Sequence, residues 1–305
     1  MTEARHATET CRLEVRTDGG DDEAALVIAL DGRDFPDGPG LERIGGDYVR
    51  ECWRGDAGID FIRLAEPDGP EHDAAETAYR LYSKLIRMLA DSAHPCPLRL
   101  WNFFPAINHG EGDDERYRRF CLGRGRALDE AGLKDAQMCA ATAIGTQGHL
   151  MQVVALVGAL PGLSIENPRQ VSAWNYPRDY GPRQPAFARA TGIRLADGRA
   201  ALLISGTASV IGHRTAHPND VLAQADEAAC NLDALLKQGA AILDRPGLAR
   251  FHAHSLARVY LRNAADWPQV EARLRARWPH LQLCALKGDI CRRDLMVEIE
   301  AWHCA

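Results

Sequence analysis

Near its C-terminal end the chain carries two carboxylates spaced to act on one side of a strand. In the run DLMVEIEAW (294–302), strand alternation sends Leu295, Val297 and Ile299 to one face and Met296, Glu298 and Glu300 to the other. The two glutamates then project together, roughly 7 Å apart at about 3.3–3.4 Å rise per residue. A carboxyl works as a general acid near neutral pH only if burial raises its pKa. A strand edge facing solvent would account for the same pair without any chemistry. Cys291 stands seven residues before Glu298, and a lone cysteine is by type an inert small hydrophobe. Tyr117 and Arg124 are seven apart in a helix-forming run, two turns along one face.

Other signals carry less. The pairs His213/His217 and His252/His254 have no carboxylate or cysteine to complete a ligand set, so no metal is expected. CLGRGR (121–126) lacks the spacing and ending of a phosphate-binding loop, and neither GxGxxG nor GxSxG occurs. Cofactors are therefore expected to be none. The 305 residues carry a formal net charge of −6, with Arg and Lys scattered rather than massed. That distribution excludes an electrostatic footprint for nucleic acid or an acidic membrane, so an anionic ligand has to be held by a few placed arginines. The nine cysteines are odd in number with no CxxC spacing, which predicts free thiols in a reducing compartment. The start of the chain is polar, and the longest apolar stretch (150–160) is short and holds Gln152 and Gly158. The expectation is a soluble, cytoplasmic protein with no membrane contact.

Residues 1–24 are expected to be weakly structured, and 25–65 to form short strands (25–30, 59–64) between loops. Tyr79, Tyr82, Ile86 and Leu89 predict a helix over 74–90; LRLWNFF (98–104) predicts a buried strand stopped by Pro105. A second helix (115–131) closes at Gly132, and strands are expected at 140–144 and 151–160. Pro161-Gly162 marks a boundary, giving an N-terminal α+β half (25–160) and a C-terminal domain (161–305). The segment 165–190 has four prolines with many aromatics and arginines, as suits a loop that meets a ligand. Beyond it, strands at 193–195 and 201–205 flank the turn DGR. Asp220 caps a helix ended by Gly239, a strand covers 257–261, a helix covers 265–277, and strands at 281–286 and 295–301 close the chain. The order β-β-α-β-α-β is an α+β pattern, and 75–160 weakly repeats helix, strand, helix, strand.

That C-terminal order resembles the reactive-intermediate deaminase (RidA/YjgF-like, chorismate-mutase-like) fold, through ISGTASVIG (204–212), DVLAQADEAACNLDALLKQGA (220–240), ARVYLRNAADWPQVEARL (257–274) and CRRDLMVEIEA (291–301). Upstream, LRLWNFFPAIN (98–108), ERYRRFCLGRGRAL (115–128) and SAWNYPRDYGPRQPAFARA (172–190) resemble the chorismatases, which join such a domain to a related N-terminal half. The deaminases hold a substrate carboxylate with an arginine one strand before the last. Here 279–290 has none, which weighs against imine deamination.

The resemblance implies loss of pyruvate from chorismate to give 3-hydroxybenzoate, with some 4-hydroxybenzoate as a further product. It implies Glu298 as acid/base, and Tyr117 with Arg124 and Tyr176 with Arg189 as substrate-binding pairs, with Arg183 a further candidate. Cys291 occupies the position that separates the hydroxybenzoate branch from the branch that hydrolyses chorismate to a dihydroxycyclohexadienoate. Ser205 to Ala208 follow a strand and offer hydroxyls to a pocket, Thr207 among them. The other readings that stay open are the hydrolase and a non-enzymatic RidA-like binding protein. A chain with two related halves can close its own site, so a monomer is expected.

Overall fold

The computed structural model describes residues 59–305 apart from 196–197, and before them the backbone of four strands. Those four are β1 (Cys11–Arg16), β2 (Ala24–Leu30), β3 (Glu42–Asp47) and β4 (Arg50–Gly55). Alternating apolar residues then build β5 (Ile59–Pro67), and a 3.6-residue repeat builds α1 (Ala74–Ala90), whose N-terminus is capped by the Asp73 side chain on Ala75 N. After these come β6 (Cys96–Pro105), α2 (Arg116–Glu130), β7 (Ala140–Thr146) and β8 (Leu150–Gly158). The second half follows with β9 (Leu163–Ile165), β10 (Ala190–Arg194), β11 (Ala200–Ala208), a short hairpin of β12 (Val210–Ile211) and β13 (Arg214–Thr215), and α3 (Val221–Leu243). It closes with β14 (Leu256–Leu261), α4 (Trp267–Arg277), β15 (Gln282–Lys287), β16 (Asp289–Ile290) and β17 (Val297–Cys304).

The strands form two large sheets, ordered β16-β7-β6-β8-β5-β4-β3 and β15-β14-β17-β11-β10-β9. Without β16 the two orders coincide strand for strand, and in each the pair at one edge is the parallel one, β6 with β7 and β14 with β15. The weak repeat in the sequence is thus a repeated topology. β16 crosses between the halves: it comes from the C-terminal part of the chain and pairs with β7 of the first sheet.

Three apolar layers result. Leu81, Tyr82, Leu85 and Phe120 of α1 and α2 cover the outer face of the first sheet. Leu232, Leu235, Leu236 and Leu274 of α3 and α4 cover the outer face of the second. Between the sheets, Phe61, Trp101, Phe103 and Leu156 meet Leu203, Tyr260 and Trp302. Where β7 turns its open edge to the second sheet, side chains take its backbone donors: Ala140 N donates to Thr191 Oγ1 (2.7 Å) and Ala141 N to Ser205 Oγ (2.9 Å).

Three expectations need correction. Within 1–24, expected to be weakly structured, Cys11–Arg16 forms a strand paired antiparallel with β2, which begins at Ala24; the other residues of that stretch lie outside the described ones. α3 does not end at Gly239 but runs on to Leu243, where Asp244 takes the left-handed cap at φ 52°. Gly239 is there for packing, since a Cβ on it would stand 2.6 Å from the Leu202 methyls. The buried stripe of α1 is Ala78, Leu81, Tyr82, Leu85 and Leu89, with Tyr79 and Ile86 at its flanks, because the helix packs against a sheet and α2 together.

α1 and α2 touch at Gly123, where a Cβ would lie 1.8 Å from Ala75 O. Gly123→Ala should lower stability by about 1–3 kcal/mol in chemical denaturation, the usual cost of overpacking. An unchanged midpoint would show that the two helices can separate freely.

Candidate active site

β17 is an interior strand, hydrogen-bonded to β11 on one side and β14 on the other. Its two glutamates are therefore interior, Glu298 at 4% exposure and Glu300 at 0%, and the solvent-edge explanation of the pair fails. Val297, Ile299 and Ala301 enter the core beneath α3, while the alternate residues face the first sheet.

Glu298 opens into a cavity of about 310 Å³ lined also by Tyr117, Tyr176, Phe187, Arg189, Cys291 and Arg292. α2 supplies Tyr117; the Pro-rich segment supplies Tyr176, Phe187 and Arg189; the turn between β16 and β17 supplies Cys291 and Arg292. Gly206 lies against the carboxyl, since a Cβ there would stand 1.9 Å from Glu298 Oε1. Burial, and after it the negative charge of Glu300, pushes Glu298 up to about 8, against the opposing pull of Arg99, Arg189 and Arg292. At neutral pH this carboxyl keeps its proton, the state a general acid requires.

Glu300 goes the other way. Burial alone would raise its pKa, but Arg258 and Arg99 more than offset that and hold it below the usual carboxylate range. Arg99 Nη2 donates to Glu300 Oε2 at 2.5 Å, Arg258 Nε donates to Oε1, and Trp101 Nε1 (3.0 Å), Tyr260 Oη (3.2 Å) and Thr142 Oγ1 complete the shell. Both guanidinium groups also stack on the Trp101 ring, with centroid distances of 5.0 and 5.6 Å.

The cations are placed with care. Arg189 Nη2 donates to Tyr176 Oη (2.7 Å) and Val171 O (2.9 Å), and its buried Nε has no acceptor. Arg292 lies over the Tyr180 ring at 4.4 Å and the Tyr176 ring at 5.4 Å, so Tyr176 stands between two arginines. Arg292 Nη1 is held by His213 O (3.0 Å) and Thr215 Oγ1 (3.2 Å). The Cys291 thiol is pushed far above its ordinary range by burial first and Glu298 second, so it is a neutral group rather than a thiolate. The Tyr117 phenol is likewise raised by burial.

Of the residues expected at a site, Glu298, Cys291, Tyr117, Tyr176 and Arg189 share one cavity. Arg124, Arg183 and Thr207 are not among its lining residues. Arg124 is buried beside the rings of Tyr82 (5.5 Å) and Phe120 (5.9 Å), and its Nη2 has no hydrogen-bond acceptor. Arg183 reaches away to Asp129 and Asp135, both at 2.9 Å, so it staples the segment to the end of α2. Thr207 donates its hydroxyl back to Ser205 O (2.8 Å), because strand alternation gives the cavity Gly206 and Ala208 instead. Sequence reasoning missed Arg292 and the Glu300 partners Arg99 and Arg258. Arg292 had one signal, its place beside Cys291; the other two sit on distant strands. Among the described residues no group of three His, Cys, Asp or Glu could hold a metal ion, and no helix is long and apolar enough to cross a membrane.

The chain is similar in sequence and in structure to chorismatases. A family model described as "Chorismatase FkbO/Hyg5-like, N-terminal" matches residues 46–157. A 3-hydroxybenzoate synthase of Streptomyces hygroscopicus is 38% identical over 243 residues, covering 77% of this chain and 70% of that protein. A chorismatase of the same species is 40% identical over 233 residues, covering 74% and 67%. Among solved structures, a chorismatase crystal structure superimposes with a TM-score of 0.74 at 36% identity, covering 85% of this chain and 78% of that one.

The burial of Glu298 has a thermodynamic signature. Unfolded, this carboxyl ionises near 4.5; folded, it ionises near 8. Between those values the unfolded state has released a proton that the folded state keeps, so this group subtracts stability as pH rises through the window. Glu298→Gln should therefore gain on the parent protein between about pH 5 and about pH 8, read from urea denaturation midpoints. A difference that does not move with pH would mean that the carboxyl is not buried in its protonated form.

Proposed function

The chain belongs to the chorismatase family, and we propose that it converts chorismate to 3-hydroxybenzoate and pyruvate with Glu298 as the acid/base. The observation that carries the assignment is a carboxyl held protonated near neutral pH inside a cavity edged by arginines. The name of its relative, a 3-hydroxybenzoate synthase, supports the choice of product.

Chorismate is a dianion, with a ring carboxylate, an enolpyruvyl ether and a neighbouring ring hydroxyl. Arg189, steadied by Tyr176, and Arg292, stacked on Tyr176 and Tyr180, offer two separate carboxylate contacts. Arg124, buried beside Tyr82 and Phe120 with its Nη2 unmatched, lies outside the lining and is not part of this clamp. Proton transfer from Glu298 to the methylene carbon of the enol ether makes the side chain a keto-acid leaving group. The ring carbon–oxygen bond breaks as the neighbouring hydroxyl oxygen, keeping its proton, closes on the ring, giving a protonated epoxide-like intermediate and pyruvate. Opening of that ring and loss of a ring proton restore aromaticity and return a proton to Glu298. No water is consumed. The neutral Cys291 thiol fills the wall beside Glu298 and assists the ring proton movements without acting as a nucleophile. The two halves divided near 160/161 are inferred to be related units, in keeping with their shared strand order.

Incubation with chorismate, with pyruvate followed through lactate dehydrogenase, should give release far above the spontaneous rate, and 3-hydroxybenzoate in the product analysis. Glu298→Gln should lower kcat by about 10²–10⁴-fold, the usual share of a general acid, while chorismate still binds. Full activity would remove Glu298 as proton donor. Arg189→Ala should raise KM by roughly 10–100-fold, as expected for a lost charge-assisted pair.

Cys291→Ala should move the product toward the dihydroxycyclohexadienoate, measured by mass spectrometry. An unaltered product ratio would reduce Cys291 to packing.

A further inference from the structure

Glu300 lies outside the cavity lining, yet it is a fully buried carboxylate held by five side chains. Its five donors come from β6 (Arg99, Trp101), β7 (Thr142) and β14 (Arg258, Tyr260), so strands of both sheets meet on one carboxylate. Two guanidinium groups, Arg99 and Arg258, converge on this single carboxylate in a buried layer. Well-packed apolar side chains serve stability as well as such a cluster or better, so packing alone does not account for it.

The cluster reaches the site through one hydroxyl. Thr142 Oγ1 donates to Glu300 Oε2 and accepts from Gly206 N at 2.9 Å. Gly206 belongs to a β-bulge: Ile204 pairs with Ala301 and Thr207 with Ile299, so Ser205 and Gly206 together stand opposite Glu300. The bulge places Gly206 where its missing Cβ admits Glu298 Oε1. It also turns Ser205 N toward Arg189 O, at 3.0 Å, which ties the bulge to the arginine that lines the cavity.

We propose that Glu300 is a positioning residue that, through Thr142, fixes the Ser205–Gly206 bulge and with it the place and proton affinity of Glu298. The proposal rests on Glu298 being the proton donor. Charged and titratable groups face Glu298 or its cavity from each element around it: Arg99 of β6, Tyr260 of β14, Glu115, Tyr117 and Arg118 at the start of α2, Tyr176, Asp179, Tyr180 and Arg189 before β10, Cys291, Arg292, Arg293 and Asp294 before β17, and Glu300 on β17 itself. Glu300 is the anion whose charge favours the protonated form of Glu298, and Arg99, Arg189 and Arg292 oppose it.

The test compares Thr142→Val with Thr142→Ser, using chorismate and pyruvate release. Valine removes the hydroxyl at nearly constant volume, and kcat should fall by about 10–100-fold, as a small misplacement of a catalytic group costs, with KM little changed. Serine restores the hydroxyl and should return kcat to within a few-fold. In Glu300→Gln the high-pH limb of kcat, set by deprotonation of Glu298 near 8 in the parent, should move to lower pH, because the raising charge is gone while the arginines remain. A valine variant of parental kcat, or a serine variant as slow as valine, overturns the proposal; so does an unmoved limb in a folded Glu300→Gln protein. Should that variant not fold, the Thr142 pair decides alone. An active Glu298→Gln enzyme would instead remove the proton-donor assignment beneath it.

Discussion

Glu298 and Glu300 stand two residues apart on an interior strand, facing one dry layer, where two carboxylates cannot both ionise without compensation. Arg99 and Arg258 settle which of them does. Glu300 receives both guanidinium groups and stays an anion; Glu298, next along the same face, is left with burial and a negative neighbour and keeps its proton. One ion cluster thereby makes two chemically identical side chains different. The acid/base opens to the cavity and the anion is locked behind it.

The fold supplies the layer in which this happens. Two sheets of the same strand order lie face to face, each backed by its own helix pair, so the inner faces of β5, β6, β8, β11, β14 and β17 are shielded from water. Each half alone would expose the row that includes Trp101 or the row that includes Trp302. Joined, they bury ionisable groups from β6, β14 and β17 in common, with the Thr142 hydroxyl of β7 among them, and the cavity forms where α2, the Pro-rich segment and the turn before β17 converge. The chemistry sits at the seam because only there do side chains from both halves meet. Tyr176 makes the same point on a smaller scale: Arg189 lies thirteen residues along its own segment and Arg292 comes from the far end of the chain, and one ring orders both.

Much was legible from residue order. The period of 3.6 located α1 and α2, the turn DGR located the β10–β11 hairpin, and alternation in DLMVEIEAW put both glutamates on one side of a strand. The family resemblance, carried by long aromatic and arginine-rich runs, picked out Tyr117, Tyr176, Arg189, Cys291 and Glu298, which share the cavity. Local pattern misled where a residue's reason was tertiary. Gly239 reads as a helix stop but makes room for Leu202, and Thr207 turns its hydroxyl to its own strand, while Arg183, offered by the resemblance, pairs with Asp129 and Asp135.

The sequence by itself determined the periodicities, the placing of two carboxyls on one side of a strand and the scarcity of massed charge, because each follows from neighbours along the chain. It left open whether that side faced water or protein. Tertiary structure decided this by hydrogen-bonding β17 on both flanks and closing a second sheet over it. The same closure chose the partners: Arg99 lies some two hundred residues from Glu300, and no local spacing links them. Charge states of buried groups depend on what surrounds them in three dimensions, so the difference between Glu298 and Glu300 exists only in the folded chain.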